Sequence, residues 1–332
     1  DVYNIQLTTL ICLAKELVIN LLIIYGNQRK PYSEDWIYYA YRNKQKYASQ
    51  IVNRKIVIVS GSNALFGIGA KQIESSTGIS TVNLGVNAGL GVDYILEQAK
   101  KRLKPGDIVL IPLEFQLYYQ SKDQQMLANP LRDYIISYDN DYLNKLSLID
   151  RLKVLLSPYG IEQEDIDVIK ALLRNESPFD KKTVYSRILA RLDTGECYTG
   201  MTLNRNGDET CNIGKSPIKN LKKQGKIQID LKNPIDASGS LRDFCIFAKN
   251  HQITVIPLYP AALSYSDYKA DNYKNYFDKI KRFWLQQNIP FDDSPSKSFL
   301  AEQMMFDSLY HPNDQGRNLR TKNIIDILRN YL

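Results

Sequence analysis

The run Lys55-Ile-Val-Ile-Val-Ser60 has no polar position among its β-branched residues, so it is ill suited to lie with one face in water. A parallel strand covered on both faces accommodates such a run, and the segments after it keep the matching rhythm. A glycine-punctuated turn leads into a helical stretch at about Phe66–Ser76. Thr81-Val-Asn-Leu84 reads as a second strand and Val92–Leu103 as a helix. Pro105-Gly106-Asp107 forms a turn before a third strand, Ile108-Val-Leu-Ile-Pro-Leu113. Further on come a helix at Leu241–Asn250, a strand at Ile253-Thr-Val-Ile-Pro257 and a helix at Tyr268–Gln287. A short last strand at Ile289-Pro-Phe291 and an amphipathic helix at Asn313–Tyr331 close the chain. Alternation of this kind predicts an α/β fold: a doubly wound, three-layer α/β/α domain whose parallel sheet has about five strands.

The alternation stops between about Tyr119 and Asp236. That stretch carries two helical patterns, Tyr142–Leu156 and Glu162–Arg174, and a Gly/Asn-rich hairpin flanked by Cys197 and Cys211. The chain therefore divides into an N-terminal helical segment (1–50), an α/β core (51–118 and 238–332) and a large, mostly helical inserted cap (119–237). In the first segment Trp36, Ile37, Tyr39 and Tyr41 lie on a helix ending near Val52. Leu7–Ile24 is apolar almost to the length of a membrane span, but Lys15 and Glu16 fall at its middle, where charge is expensive in lipid. An amphipathic or buried helix is expected there. The chain starts at Asp1, not Met, and a membrane anchor upstream is compatible with that start.

The net charge of +7 is spread among acids, without the concentrated basic stripe of a nucleic-acid binder. It suits an anionic polymer or membrane surface, or solubility alone. The 23 tyrosines offer flat faces with polar tips for carbohydrate, or reflect a Tyr-rich composition. Cys197 and Cys211, at the two ends of a hairpin, can reach disulfide distance, and such a bond would place the protein outside the cytoplasm. Cys245, within Leu241–Ala248, is expected as a buried small hydrophobe. No His stands near these cysteines to complete a zinc site.

The first strand runs into Ser60-Gly61-Ser62-Asn63-Ala64-Leu65-Phe66-Gly67. A serine at the carboxyl end of a strand, on a turn into a helix, has an exposed hydroxyl and backbone N–H groups beside it that can hold an oxyanion. An ordinary Gly/Ser turn has the same composition. The chain has only two histidines. His251 lies at a helix exit, where polar residues face solvent. His311 lies in Asp307-Ser308-Leu309-Tyr310-His311-Pro312-Asn313, where Asp307 can fold back onto its Nδ1. Val82-Asn83-Leu84-Gly85-Val86-Asn87-Ala88-Gly89 follows the second strand. Groups around Asn87, Ala88 and Gly89, together with the Ser62 N–H, are the candidate oxyanion donors, although such a turn can need glycine for geometry alone. Asn63 and Glu114 are candidate neighbours of the site.

These three segments resemble blocks I, II and V of the SGNH (GDSL-like) hydrolase superfamily. The closest likeness is to its bacterial extracytoplasmic branch, which includes polysaccharide O-acetylation and D-alanyl-lipoteichoic acid biosynthesis proteins. The resemblance covers about residues 51–118 and 238–332. It implies a flavodoxin-like sheet of order 2-1-3-4-5, with nucleophile Ser62, base His311 and orienting acid Asp307. It implies esterase or O-acyltransferase chemistry with no metal or organic cofactor. The partners implied are an acylated surface polysaccharide and a membrane-bound acyltransferase. The sequence departs from the family in three places. Ser60-Gly61 replaces the usual Gly-Asp before the nucleophile. The acid stands one residue further from the histidine than in Asp-x-x-His, with Ser308 at the usual place. Glu114 follows the third strand where an oxyanion-hole Asn is expected, and a carboxylate there repels an oxyanion unless protonated or turned away.

Two other readings compete. Gly61, Gly67 and Gly69 invite a dinucleotide-binding turn, but their intervals do not fit Gly-x-Gly-x-x-Gly and no acid ends the second strand. Tyr265 and Lys269 match a Tyr-x-x-x-Lys spacing found in some reductases. The second alternative is a non-catalytic polymer-binding or scaffolding subunit of an envelope assembly, favoured by Glu114 and by the insertion. Lys215, Lys219, Lys222, Lys223 and Lys226 could touch an anionic glycan there or form a solvated surface.

Overall fold

Successive residues of each apolar run go to opposite faces of one parallel sheet, which is how a run without polar positions becomes buried on both sides. The computed structural model describes residues 35–156 and 181–332. Its sheet contains β1 (Ile56–Ile58), β2 (Thr81–Asn83), β3 (Ile108–Ile111) and β4 (Thr254–Pro257), in the order β2-β1-β3-β4. β1 pairs through Ile56, Val57 and Ile58 with Thr81, Val82 and Asn83 on one side and Ile108, Val109 and Leu110 on the other. Ile56, Ile58, Ile108, Leu110 and Ile256 pack with Ile73 and with Ile324, Ile325 and Leu328 of the Asp314–Leu328 helix. Val57, Val59, Val82, Val109, Ile111 and Val255 belong to a larger cluster that includes Leu96 and Phe244. A one-residue slip would exchange the two sets, so burial fixes the register.

The fifth strand does not form. Ile289-Pro-Phe291 follows Asn288, which has a left-handed φ of 58°. The Ile289 N–H donates to Trp284 O at 3.1 Å, and Pro290 has no N–H. Neither residue offers a ladder donor, so the sheet ends at β4. Two short pairings lie outside it: β5 (Ala262–Leu263) runs parallel to β6 (Phe299–Leu300), and β7 (Met305–Ser308) runs antiparallel to β8 (His311–Pro312).

Where one helix is expected after β1 there are two, Ser62–Gly67 and Ala70–Thr77. Ile68 between them is extended. The second helix is capped from the insert: Asp208 accepts the Ala70 and Lys71 N–H groups at 2.8 and 3.0 Å. Within the insert the pattern Tyr142–Leu156 is likewise divided, into Asn140–Lys145 and Leu148–Leu156, with Leu146 extended between them. Helices Asn129–Tyr138 and Lys181–Asp193 join them. Leu7–Ile24, Cys12 and Glu162–Arg174 lie outside the described residues. Among the described residues no helix is long and apolar enough to cross a membrane.

The Asp35–Gln50 helix fastens the N-terminal segment and the insert to the carboxyl end of β2 through one side chain. Lys44 is buried, and its Nζ donates to Asn83 O, Gly85 O and Gly207 O at 3.0, 2.6 and 2.7 Å. Burial pushes its pKa down to about 7, against the opposing pull of Asp208 and Glu209.

Candidate active site

The turn after β1 is built on close approach. A Cβ at Gly61 would lie 2.5 Å from both Ala88 N and Glu114 Oε1. Only glycine lets the β2 turn and the β3 end meet there. Ser62 is the first residue of its helix and is half-buried. Buried Ser60 and Asn63 brace the turn, each hydrogen-bonding Pro112 O, at 2.7 and 2.8 Å.

Glu114 is 1% exposed and turned toward the backbone of this loop. Its Oε1 accepts the Asn63 N–H at 2.9 Å, and its Oε2 accepts the Gly61 N–H at 3.1 Å and the Ser60 hydroxyl at 3.0 Å. It thus caps the first turn of the Ser62–Gly67 helix, where a negative charge is favoured by the orphan N–H groups. The Ser62 N–H, between the two it binds, is not among its donors.

His311 and Asp307 approach through the β7–β8 hairpin, in which Ser308 sits opposite His311. Ser308 Oγ accepts the Tyr310 N–H at 3.2 Å and holds the turn. His311 Nδ1 lies 2.7 Å from Asp307 Oδ1, and Nε2 lies 2.8 Å from Ser62 Oγ. Asp307 accepts at Nδ1, so Nδ1 carries the proton and Nε2 is free to accept from the serine. Phe66, one turn along from Ser62, stacks on the imidazole at 4.5 Å. Burial pushes the Asp307 carboxyl up, but the hydrogen bond and charge of His311, with the Tyr198 hydroxyl, hold it below the ordinary carboxylate value.

The turn after β2 lies against this serine turn, with Ala88 packed on Gly61 and Gly85 close to Gly61 O. Asn87 Oδ1 accepts the Gly89 N–H at 2.7 Å, so Gly89, expected as an oxyanion donor, has spent its donor. The same bond fixes the Asn87 side chain, whose Nδ2 has no partner among the described residues.

Tyr198 is part of the site without any sequence expectation of it. Its hydroxyl donates to Asp307 Oδ2 at 2.7 Å and lies 3.0 Å from His311 Nδ1. Burial, then the Asp307 charge, raise its pKa well above the ordinary value, so it stays protonated. The available sequence signal is adjacency to Cys197, which is disulfide-bonded to Cys211 across a Cα–Cα distance of 5.3 Å. Cys245 is buried and free.

The other candidates lie elsewhere. His251 is exposed at the end of the Ser240–Asn250 helix, its Nδ1 2.8 Å from Phe247 O. Tyr265 donates to Lys222 O and Gly225 O at 3.0 and 2.7 Å, which removes it from any pair with Lys269. Lys215, Lys219, Lys222, Lys223 and Lys226 are all exposed; Lys222 pairs with Glu302 at 3.2 Å and Lys226 with Asp267. The chain matches no protein-family model and no curated protein sequence.

Proposed function

We propose that the protein is a serine-dependent acyl-transfer enzyme of the SGNH type, with a three-layer α/β/α core. The observation that carries this reading is the unbroken chain from Ser62 Oγ through His311 to Asp307, at 2.8 and 2.7 Å, among residues far apart in sequence. Nε2 takes the Ser62 proton as Oγ attacks an ester or thioester carbonyl carbon. Asp307 stabilises the imidazolium so formed. The Ser62 N–H, the Asn87 amide and the backbone at Ala88 are the donors for the oxyanion, each worth about 10²–10³ in rate. Collapse expels the leaving group, which takes the proton from Nε2. Water or a sugar hydroxyl then attacks the acyl-enzyme, giving its proton to His311, and as the bond to Oγ breaks His311 returns that proton to Ser62.

The substrate class proposed is an O-acylated polysaccharide of the cell surface, with a membrane-bound acyltransferase as acyl source. The Cys197–Cys211 disulfide supports a place outside the cytoplasm, where such bonds persist. The orientation of Glu114 supports catalysis over a degenerate binding role, because its oxygens are engaged by the backbone and do not crowd Ser62 N–H. A fluorophosphonate probe tests the reading. Modification at Ser62, abolished in Ser62→Ala, is expected, together with acetate release from model esters. Absence of labelling on the folded protein would leave the polymer-binding role as the better account. Oligosaccharide acceptors that suppress acetate release while becoming acylated would identify transfer.

A further inference from the structure

Both oxygens of Asp307 are occupied, and the second is occupied from the insert. Tyr198 OH donates to Oδ2 at 2.7 Å while His311 Nδ1 faces Oδ1 at 2.7 Å. A carboxylate held at one oxygen can swing about its Cβ–Cγ bond, whereas one held at both presents Oδ1 to the imidazole in a fixed plane. The phenol is itself held. Its ring lies 5.4 Å from Trp36 of the N-terminal helix and 5.6 Å from Phe66, and Phe66 also stacks on His311. The backbone that carries it is closed by the disulfide one residue away. The disulfide closes the ends of the segment 197–211; further in, the isolated bridge Leu203–Glu209 and the Thr210 N–H, which donates to Thr202 O at 3.0 Å, hold its two arms together.

We propose that Tyr198 is a positioning residue for the His311–Asp307 pair, delivered by the Cys197–Cys211 disulfide, so that the relay is complete only in the oxidised chain. The proposal rests on Ser62, His311 and Asp307 acting as a catalytic set. It adds that an element outside the α/β core finishes that set and that its redox state governs it. By donating to Asp307, Tyr198 shares the carboxylate charge that otherwise acts on the imidazole alone. The titratable groups facing the pair are Asp307 itself, Tyr198, and behind Tyr198 the Glu209 carboxylate of the same loop. Glu209 Oε1 is engaged by the Thr210 and Cys211 N–H groups at 2.8 and 3.1 Å, and Lys44 and Arg317 act on Glu209.

The test is a titration of the two histidine Cε1–H resonances by NMR, with exposed His251 as internal reference. Tyr198→Phe keeps the ring and removes the hydroxyl. Its expected result is an upward move of the His311 midpoint by roughly one pH unit, the size of one charge-assisted hydrogen bond, with His251 unmoved. The acid limb of the Ser62 labelling rate should move up by the same interval. Wild-type protein in dithiothreitol, which opens the disulfide to two thiols as the reagent closes its own ring, should show the same direction with no mutation at all. An unmoved His311 midpoint in both samples, with far-UV circular dichroism unchanged, overturns the proposal and leaves Tyr198 as packing. Labelling of wild-type Ser62 separates the two levels. A shifted midpoint without labelling sinks the catalytic reading and keeps the positioning role, and labelling with an unmoved midpoint does the reverse.

Discussion

The two ends of the central sheet bury carboxylates in opposite ways. At the amino end Asp107, just before β3, meets Lys55, just before β1, and both are fully buried. Asp107 Oδ2 takes the Lys55 ammonium at 2.5 Å, while Oδ1 takes the Lys55 N–H at 3.0 Å. At the carboxyl end Glu114 has only neutral donors, and Asp307 has an imidazole and a phenol. An ammonium in direct contact offsets the charge of its carboxylate partner within the pair and leaves it nothing to do. A neutral imidazole leaves the negative charge free to act when that imidazole gains a proton. The first arrangement suits a joint, the second suits a site.

Substitutions at the two ends should therefore separate activity from stability. The largest effect expected is at Asp307. Asp307→Asn keeps the shape but loses the charge and favours the wrong imidazole tautomer, and ester turnover should fall about 10⁴-fold with little change in melting temperature. An Asn variant that labels at the wild-type rate would erase the distinction between the ends. Lys55→Met should do the converse. It strands a buried carboxylate and should cost about 3–5 kcal/mol in denaturant unfolding, while labelling per folded molecule stays as in wild type. Removing both charges, with Lys55→Met and Asp107→Asn, which keeps an oxygen for the Lys55 N–H, should recover part of that loss, since the unpaired buried charge is then gone. Glu114→Gln tests the intermediate case. It weakens the helix cap and should cost about 1.5–3 kcal/mol, the range of a hydrogen bond to a charged group. A larger fall in labelling than in stability would move Glu114 from the joint to the site.

The smallest effect expected is in the pH dependence of stability. Asp307 has a folded pKa below its unfolded one. Its contribution is present above the ordinary carboxylate value and is lost as pH falls through the depressed one. The acid limb of an unfolding-versus-pH curve should be shallower in Asp307→Asn, and an identical limb would show that the pair contributes nothing to folding.

β1 and β3 were legible because a strand buried on both faces is apolar along its length, a pattern few loops share; β2, with buried Thr81 and Asn83, was legible only from its place in the alternation. Ser62 was legible from its place after such a strand, and the Asp307–His311 pair from an interval that a hairpin closes. Ile289-Pro-Phe291 misled because its apolar character serves burial, with Phe291 in the core, while its backbone cannot pair. The broken helix after β1 misled because Asp208, contributed by the insert, caps a helix start inside one apparent pattern. Tyr198 was invisible for a related reason. Its partner lies 109 residues away, and the one local signal, its place beside Cys197, does not say which distant carboxylate the phenol meets.

Lys44 sets a limit on how the chain can be cut. Its ammonium satisfies three main-chain oxygens contributed by the β2 strand, its turn and the inserted segment. Trimming at residue 51 would remove the donor of those three oxygens together with the helix that covers them. The α/β portion is thus no free-standing cassette: a shortened gene would yield a piece whose serine turn has lost its footing before any substrate arrives.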